Sequence, residues 1–438
     1  MAVKKVLVVY DNAGGGHKAM ASILAEIAGT LPGVEVVLRA GSELSPGAKW
    51  VVSLWNHLIR HDHIRLADWL VNYFIRAILF PLGEVLETDG FTRALGEIAP
   101  DMIVCTADGY NKALGEYARV HGIPFLISQT DMTVFADMVH PDAVHLCYFQ
   151  ESVDAIRALS LDSSYFTTPL RPGMTRWERL VYVLRAWGDV LLPWRPHQHL
   201  LQLGAARPQR NQARCLTLGP LRDAGHHRAR DRAAVRAKLG MAPDERCILV
   251  MSGSLGGRFL QQVVSWIQES GIASKTTRVL VVTGHDIDSR AWLRKHLSHW
   301  PELRCEILPF VDNMPELLTA CDVLVARPSC GVFLEAMLAA VPMIFPERVT
   351  VNDRSALALL RRFGMGETFD SSKTLREALE RVLENGPEYR RRIGARLAEA
   401  RPFAEIKREL SCLISDELTR GPTRPETVAM IQPRLVES

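Results

Sequence analysis

Two segments that lie far apart in the chain share one pattern: a short apolar run rich in β-branched residues, a glycine-rich loop, and a helical stretch. In the first, residues 6–10 precede a loop that ends at His17. In the second, residues 247–251 precede the loop 252–257. A buried strand that feeds a helix is typical of the βαβ series that builds parallel sheets. The chain therefore starts such a series twice.

Shorter apolar runs follow each unit and alternate with helical stretches. They predict strands at residues 34–38, 102–105 and 124–128 in the first series, and at 279–283, 305–308, 323–326 and 342–345 in the second. Strands that alternate with helices form parallel sheets covered by helices on both faces. The sequence thus predicts an α/β protein with two doubly wound, Rossmann-like domains.

The length of 438 residues and the hydrophobic share of 47% suit a globular protein of at least two domains, each with its own core. We place the boundaries where the pattern changes. The predicted units are an N-terminal domain at 1–170, an arginine- and tryptophan-rich insertion and linker at 171–236, a C-terminal domain at 237–402, and a helix with a frayed tail at 403–438.

The compartment is predicted from cysteine spacing and hydropathy. The eight cysteines form no C-x-x-C pair, which favours free thiols in a reducing compartment and argues against zinc. The apolar run at the amino terminus is too short for a signal sequence. The longest apolar stretch, residues 66–82, is interrupted by Asp68, Asn72 and Arg76, so we expect no membrane span. These features predict a cytoplasmic protein.

The first loop, Gly14-Gly15-Gly16-His17, follows a predicted parallel strand, and open α/β sheets bind ligands there. Glycines let backbone amides approach an anion at the helix start. The spacing fits neither the dinucleotide fingerprint nor the Walker loop. We expect the helix end to lower the pKa of His17 and keep the imidazole neutral, as a general base requires. The alternative is a tight turn whose glycines only satisfy backbone geometry.

The second loop gains weight from a long run further along the chain. The loop contains Ser252, Gly253 and Ser254. The run reads P-F-V-D-N-M-P-E-L-L at 309–318 and A-C-D-V-L-V-A-R-P-S at 320–329, followed by Gly331 and Glu335. A carboxylate near a helix start can accept hydrogen bonds from a ribose diol while the helix N-terminus faces phosphate. Alternatively, Glu335 is a solvated residue favoured by the helix dipole.

The Gly-Gly-Gly-His loop and the run that ends at Glu335 together resemble GT-B glycosyltransferases. The resemblance is to the glycosyltransferase family 28 group: monogalactosyldiacylglycerol synthases, processive diacylglycerol glucosyltransferases and the peptidoglycan GlcNAc transferase. It covers roughly residues 6–366 and includes Thr130-Asp131 and L-G-P-L-R at 218–222. It implies two Rossmann-like domains facing each other across a cleft, with a lipid acceptor on the first and a UDP-sugar on the second.

The resemblance also implies roles for residues. His17 would deprotonate the acceptor hydroxyl, Glu335 would hold the ribose, and Phe310 would contact the base. Asp131 could orient His17 or act as base in its place, or it is a turn residue at a strand end. The full donor-side set is Gly14, Gly15, Gly16, Ser252, Gly253, Ser254, Phe310, Ser329, Gly331, Glu335, Asn352 and Asp353. No metal and no cofactor is expected besides the UDP-sugar substrate.

The chain departs from the family at the end that would hold the donor sugar. The family usually has Lys-Pro-Gly-Gly-Thr where this chain has Arg327-Pro328-Ser329-Cys330-Gly331. It also has a Gln-Glu pair where this chain has Asn352-Asp353. A shorter amide and carboxylate still bond sugar hydroxyls, so the departures leave the sugar open.

Two stretches of the first half mix aromatic and basic residues, as helices in a headgroup layer do. Residues 171–236 contain thirteen arginines, no lysine and four acids, a net charge of +9 in a chain of +3. The candidate membrane and acceptor residues are Trp50, Trp55, Trp69, Trp177, Arg179 and Trp187. We expect peripheral association with the inner face of an anionic membrane and no nucleic-acid binding. The alternative is ordinary amphipathic helices packed on the domain.

We therefore predict an inverting glycosyltransferase that moves a hexose or an N-acetylhexosamine from a UDP-sugar to a membrane lipid such as diacylglycerol, in glycolipid biosynthesis. Two alternatives stay open. One is a GT-B-fold UDP-sugar 2-epimerase, which needs no interfacial helices. The other is a non-catalytic glycosyltransferase-like subunit that binds lipid or a partner protein, which the altered residues 327–331 would allow.

Overall fold

A computed structural model describes residues 3–12, 15–45, 47, 49–191, 200–201, 207–253, 255–272 and 276–420. Within them the chain forms two parallel six-stranded sheets and one short antiparallel pair. The strands are β1 (Lys4–Tyr10), β2 (Val34–Ala40), β3 (Met102–Cys105), β4 (Phe125–Ser128), β5 (Val134–Phe135), β6 (Val144–Cys147), β7 (Leu200–Leu201), β8 (Arg214–Thr217), β9 (Arg246–Met251), β10 (Thr277–Val282), β11 (Cys305–Leu308), β12 (Val323–Ala326), β13 (Met343–Pro346) and β14 (Gly366–Phe369).

The first sheet has the strand order β2-β1-β3-β4-β6-β8, and the second has β11-β10-β9-β12-β13-β14. The central strands are continuous apolar runs that are buried on both faces, because helices cover both sides of each sheet. Pairing is in parallel register, with Val8 opposite Val104 in the first sheet and Val250 opposite Val325 in the second. The prediction of two Rossmann-like domains is confirmed.

The α-helices follow the strands in the alternation that the sequence predicts. They are α1 (Gly16–Gly29), α2 (Gly41–Leu44), α3 (Lys49–Arg60), α4 (Ile64–Ala67), α5 (Phe80–Ile98), α6 (Asn111–His121), α7 (Gln150–Arg157), α8 (Ser164–Thr167), α9 (Arg176–Leu191), α10 (Arg232–Lys238), α11 (Arg258–Ser270), α12 (Ile287–Leu297), α13 (Met314–Ala320), α14 (Cys330–Leu338), α15 (Val351–Phe363), α16 (Ser372–Glu384), α17 (Gly386–Ala398) and α18 (Phe403–Arg420). Between α4 and α5, Asp68–Leu79 is wound as a π-helix.

The segment 171–236 is not a separate insertion and linker. Its strand β8 pairs with β6 and completes the first sheet, α9 packs on α5 of the same domain, and α10 packs on α13 of the second. The last helix, α18, returns to the first domain, where Lys407 lies 3.1 Å from Glu26 of α1. The first domain therefore extends to Thr217. The boundary predicted from the sequence lies too early because a short edge strand such as β8, which begins with Arg214, gives little sequence signal.

The helical stretch Ile64–Ile98 is long and apolar enough to cross a membrane by length and composition alone. The polar residues that interrupt it in sequence all have partners in the protein. Asp68 and Asn72 contact the second domain, and Arg76 forms ion pairs with Asp108 at 2.9 Å and Asp137 at 3.1 Å. These contacts hold the stretch at the boundary between the two domains.

Candidate active site

The carboxyl ends of the two sheets meet at one cavity of about 1340 Å³. In the first sheet the strand order reverses between β1 and β3, and in the second between β9 and β12; ligands bind at such points. The cavity wall includes Gly15, Gly16, His17, Asp131, Ser252, Gly253, Phe310, Ser329, Gly331, Glu335, Asn352 and Asp353. Gly14 and Ser254 lie outside the described residues.

The ring of His17 is fixed from behind. Its Nδ1 lies 2.6 Å from the Thr106 carbonyl and 2.9 Å from the Thr130 hydroxyl. A carbonyl oxygen can only accept a hydrogen bond, so the Thr106 contact places a proton on Nδ1. Nε2 has no hydrogen-bonding partner within the described part of the chain. This tautomer leaves the Nε2 lone pair available to a ligand in the cavity.

The electrostatics around His17 differ from the sequence expectation. Burial lowers the pKa of His17, but the nearby carboxylates of Asp108, Asp131 and Asp11 raise it by more, so the pKa lies above its usual value. The expected lowering by the helix end is therefore wrong. The reason is tertiary: Asp11 follows β1, Asp108 follows β3, and Asp131 follows β4, and these strands end side by side.

Two further groups show how strongly charge is concentrated here. Burial raises the pKa of Asp11 to about 6. Arg76 is almost fully enclosed between Asp108 and Asp137 and lies 3.9 Å above the Phe135 ring. A buried cation beside several carboxylates offsets their repulsion. The first half of the site is therefore an acidic shell, with Arg76 as its counter-charge, around a single imidazole.

Asp131 does not hold the His17 ring, contrary to one of its predicted roles. Its Oδ2 accepts a hydrogen bond from the Asn352 side chain of the second domain at 2.5 Å. Thr106 and Thr130 take the orienting role instead. Asp131 acts on His17 through its charge, and its use as a base stays a prediction.

On the second domain, the glycine loop 252–257 is shaped by close contacts. A Cβ at Gly257, whose φ is +96°, would lie 2.3 Å from the Arg60 carbonyl of the first domain, so only glycine fits. Asp286 accepts a hydrogen bond from the Gly257 amide at 2.7 Å and fixes the loop. The buried Ser252 hydroxyl has no partner within the described residues, which suits it to a ligand.

Glu335 faces the cavity from α14, but the structure pairs it with a residue that the sequence analysis gave no role. Its Oε1 accepts a hydrogen bond from the Arg222 guanidinium, and its Oε2 lies 3.9 Å from His226 Nε2. A carboxylate has about four acceptor positions, so it can hold Arg222 and still accept from a diol. Glu335 is thus a fixed, partnered acceptor rather than a solvated one.

Phe310 lies at the cavity rim with 58% of its surface exposed. Its ring stacks on His285, with the ring centres 4.8 Å apart and an angle of 10° between the planes. An exposed flat ring with a supported back face can pack against a heterocyclic base. The geometry is compatible with the predicted base contact, which stays a prediction.

Asn352 and Asp353 begin α15 and reach the cavity in different states. The Asn352 side chain donates to Asp131 and accepts from Asn72 at 2.8 Å, so the first domain takes up much of its bonding capacity. Burial and the charge of Asp131 raise the pKa of Asp353 to about 7. The Thr350 hydroxyl donates to one Asp353 oxygen at 3.1 Å.

The predicted interfacial residues divide into two groups. Trp69 and Trp177 are 62% and 70% exposed, and Trp50 and Trp55 line the cavity. Trp187 instead donates from Nε1 to the Ile78 carbonyl at 2.9 Å, and Arg179 bonds Asp89 at 2.6 Å and the Val85 carbonyl at 2.8 Å. Trp187 and Arg179 therefore tie α9 to its neighbours, which corrects their predicted placement at a lipid surface.

The arginine-rich segment is not a uniformly basic face. Six of its arginines form ion pairs inside the protein: Arg171, Arg179, Arg214, Arg222, Arg232 and Arg236. Arg171 pairs with Glu178 of the segment itself, and the other five pair with four carboxylates outside it, Asp89, Asp322, Glu335 and Glu417, which offset part of the net charge of +9. Sequence counting could not show this, because most of the partners are distant in the chain.

No group of three or more His, Cys, Asp or Glu side chains in the described part of the chain is placed to hold a metal ion. Of the acidic residues near His17, Asp108 pairs with Arg76 and Asp131 accepts from Asn352.

Comparison with known proteins finds a family match in the second domain. Residues 247–356, which contain β9, β12 and Glu335, match the family described as glycosyltransferase family 28 C-terminal domain. This part of the second domain is similar to the glycosyltransferase family 28 C-terminal domain. The family 28 domain thus supplies the glycine loop, Phe310 and Glu335, whereas the match does not include His17.

Two relatives extend the comparison. A UDP-N-acetylglucosamine–N-acetylmuramyl-(pentapeptide) pyrophosphoryl-undecaprenol N-acetylglucosamine transferase of Opitutus terrae is 30% identical over 138 residues, 30% of this chain and 35% of that protein. The chain thus matches about a third of that relative's length. Chloroplastic monogalactosyldiacylglycerol synthase of Spinacia oleracea is 20% identical over 390 residues, 85% of this chain and 65% of that protein.

The fold of the whole chain is similar to that of Acinetobacter baumannii MurG. The TM-score is 0.56 at 16% identity, and the match covers 94% of this chain and 99% of that one. The likeness extends over both domains and shows the GT-B fold, as the sequence predicted.

Several residues of the site were not assigned from sequence. Arg222 lies in the L-G-P-L-R motif that the chain shares with the family, so the sequence marked its position. Its pairing with Glu335, which is 113 positions away, could not be predicted. In the pair Thr130-Asp131, a role was predicted for Asp131, but Thr130 is the residue that contacts His17. Thr106, Asp108 and Asn72 had no motif, because strand order and domain packing alone bring them to the cavity.

Proposed function

We propose that this chain is an inverting glycosyltransferase that moves a sugar from a UDP-sugar to a hydroxyl of a lipid acceptor. The observation that carries the proposal is the placement of His17. Its Nδ1 is held by the Thr106 carbonyl, and it lies in the wall of a cavity that the family 28 domain closes from the other side. A fixed imidazole opposite a candidate nucleotide site is the arrangement that a single displacement needs.

In this proposal His17 Nε2 accepts the proton of the acceptor hydroxyl as its oxygen attacks the anomeric carbon. The bond from that carbon to the phosphate oxygen breaks, and UDP leaves with the bonding electrons. The imidazolium that forms is stabilised by the charges of Asp108, Asp131 and Asp11. The N-terminus of α14 and nearby backbone amides are placed to stabilise the charge on the leaving diphosphate.

The UDP-sugar donor is inferred from the second domain. Ser252 offers a buried hydroxyl without a partner among the described residues, Glu335 offers carboxylate oxygens for a ribose, and Phe310 offers a flat ring for a base. The relative from Opitutus terrae is named for a UDP-sugar donor, which supports the same class here. The departures at 327–331 and 352–353 leave a hexose or an N-acetylhexosamine as the transferred group.

The lipid acceptor, such as diacylglycerol, is inferred from the first domain. The cavity wall of the first domain also contains apolar residues, including Trp50, Trp55 and Ile75, and Trp69 in the same helical region is exposed. Large exposed aromatic side chains on one face suit a membrane surface. The named acceptors of both relatives are lipids or lipid-linked. We propose that this face binds a membrane peripherally while the acceptor hydroxyl enters the cavity.

The test incubates the purified protein with phosphatidylcholine vesicles that carry diacylglycerol and with a panel of UDP-hexoses and UDP-N-acetylhexosamines. UDP release and the lipid mass are both measured. The proposal expects UDP release together with a lipid mass increase of one sugar for at least one donor. A changed sugar configuration in the nucleotide pool with no lipid product would indicate the epimerase instead. Absence of UDP binding by calorimetry would indicate a non-catalytic subunit.

A further inference from the structure

One structural unit of the first domain makes several contacts to the second domain at the donor end of the cavity. This unit, residues 49–79, consists of α3, α4 and the π-helix, and we call it the aromatic hairpin because it carries Trp50, Trp55, Trp69 and Phe74. At its turn, Asp62 accepts a hydrogen bond from Arg327, and the Arg60 carbonyl fills the space beside Gly257. Along its π-helix, Asp68 and Asn72 reach the start of α15.

The contact of Asp68 with α15 is a helix cap supplied by the other domain. Thr350, the residue that precedes α15, makes no capping hydrogen bond with its own side chain. Asp68 Oδ1 instead accepts from the first amide of the helix, Val351, at 2.9 Å. A carboxylate at a helix N-terminus is favoured both by the unsatisfied amide and by the helix dipole. The start of α15 therefore depends on the hairpin for its cap.

Asn72 links this cap to the candidate sugar residue. Its buried Nδ2 donates to Asp68 Oδ1 at 2.9 Å and to Asn352 Oδ1 at 2.8 Å. Asn352 in turn donates to Asp131. The bond from Asn72 and the bond to Asp131 together fix which side of the Asn352 amide carries the oxygen and which carries the nitrogen. Arg327 and Asn352 are also positions where the chain departs from the family that it resembles, and both are held by the hairpin.

We propose that the aromatic hairpin is a latch that closes the second domain over the donor sugar, with Asp68 and Asn72 as its positioning residues. The proposal rests on the transferase function proposed above, because the latch acts on the end of the cavity that would receive that sugar. Asp68 and Asn72 act through Val351 and Asn352 and need not touch the substrate. Trp69 and Phe74 stack on the exposed side of the same helix, so the latch and the aromatic surface are one rigid element.

The first test is Asn72→Asp, which keeps the side-chain shape, removes both N–H donors and sets a carboxylate against two oxygens. We expect the KM for the UDP-sugar to rise about tenfold, as for the loss of a buried hydrogen-bond pair, with a smaller change in kcat. The affinity for UDP alone should change by less than about twofold, because within the described residues Glu335 and Ser252 make no hydrogen bond to the hairpin. Asn385→Asp, the same change at the exposed end of α16, is the matched control.

The second test needs no turnover. Amide hydrogen exchange of the peptide 347–356 should be faster in Asn72→Asp than in the wild type, because the new carboxylate repels Asp68, which accepts from the Val351 amide. In the wild type, UDP-sugar should slow this exchange more than UDP does. Asp68→Asn, which keeps an acceptor oxygen but removes the charge, should give a smaller acceleration, and near-ultraviolet circular dichroism of both variants checks that they are folded.

The two proposals fail in different ways. If Asn72→Asp folds and shows wild-type KM and wild-type exchange at 347–356, the latch is wrong and the transferase stands. If the wild type transfers no sugar to any acceptor, the transferase is wrong. The latch is then tested as an interdomain contact by the exchange measurement alone. Unchanged exchange at 347–356 in Asn72→Asp would show that it is wrong.

Discussion

The two glycine loops of this chain occupy equivalent places in their sheets, yet their surroundings have opposite character. Around the first, Asp11, Asp108 and Asp131 surround His17. Around the second, a cation from the β8–α10 connection, Arg222, holds Glu335, and Ser252 and helix N-termini face the cavity. A negatively charged leaving group is favoured at the second loop and disfavoured at the first.

The difference shows that the backbone pattern fixes where a ligand can bind, while neighbouring strand ends fix what chemistry occurs there. The acidic residues of the first loop come from β1, β3 and β4, and the partners of the second come from distant loops. The carboxylates around the first loop disfavour a close approach of the proposed donor's diphosphate to Gly15 and Gly16, so we propose that the N-terminus of α14 is its main contact.

The substitution with the largest expected effect on the difference between the two loops is His17→Ala. If the first loop supplies only the base, turnover should fall by about 10²- to 10⁴-fold, the usual contribution of general base catalysis. UDP affinity by calorimetry should stay at the wild-type value, because the nucleotide would bind at the second loop. The matched control is His299→Ala, an exposed histidine of the second domain. Wild-type turnover in a folded His17→Ala variant would remove His17 from the mechanism.

The converse substitution is Glu335→Gln at the second loop. It keeps the shape but weakens the acceptor and leaves Arg222 without its ion pair. We expect UDP to bind about 10- to 100-fold more weakly, as for the loss of a charge-assisted hydrogen bond, with little effect on turnover at saturating donor. Glu388→Gln on α17, which also breaks ion pairs but lies outside the cavity, is the control. If calorimetry finds unchanged UDP affinity, the ribose is held elsewhere.

A finer comparison uses the acidic shell through the pH dependence of kcat/KM. The pKa of His17 lies above its usual value because of Asp108, Asp131 and Asp11, after burial has lowered it. A base must be deprotonated, so the rate should rise with pH through a midpoint above about 6.5. Asp108→Asn removes the largest raising charge and should move this rise about one pH unit lower. Asp288→Asn, exposed on α12, should leave the midpoint in place, and an unmoved midpoint in Asp108→Asn would disprove the acidic-shell effect.

Much of the fold could be predicted from the sequence because its central strands are apolar runs with glycine loops at their ends. Strands β6, β8 and β14 were missed because polar residues, His145, Arg214 and Glu367, interrupt their short apolar runs, and β5 and β7 were missed because they have two residues each. His17 and Glu335 carried motifs and lie on the cavity as predicted.

The shift in the pKa of His17 could not be predicted, because it arises from three carboxylates brought together by strand order. The use of Arg179 and Trp187 in packing had the same cause: a composition count does not reveal partners such as Asp89 and the Ile78 carbonyl. Residues that act locally were visible in the sequence, and residues that act across elements were not.

The smallest expected effects are on vesicle binding, where exposed apolar residues of the first domain are compared with one of the second domain. Trp69→Ser and Trp177→Ser should each weaken binding to vesicles of phosphatidylcholine with an anionic phospholipid by roughly fivefold, about 1 kcal/mol for partial burial of an exposed indole. Because six arginines of residues 171–236 are paired inside the protein, raising the salt concentration should remove only part of the binding. Ile287→Ser is the matched control, since Ile287 is 72% exposed but lies on α12 of the second domain. Flotation that depends equally on Ile287, or that disappears with salt, would show that the first domain's aromatic surface is not what meets the lipid.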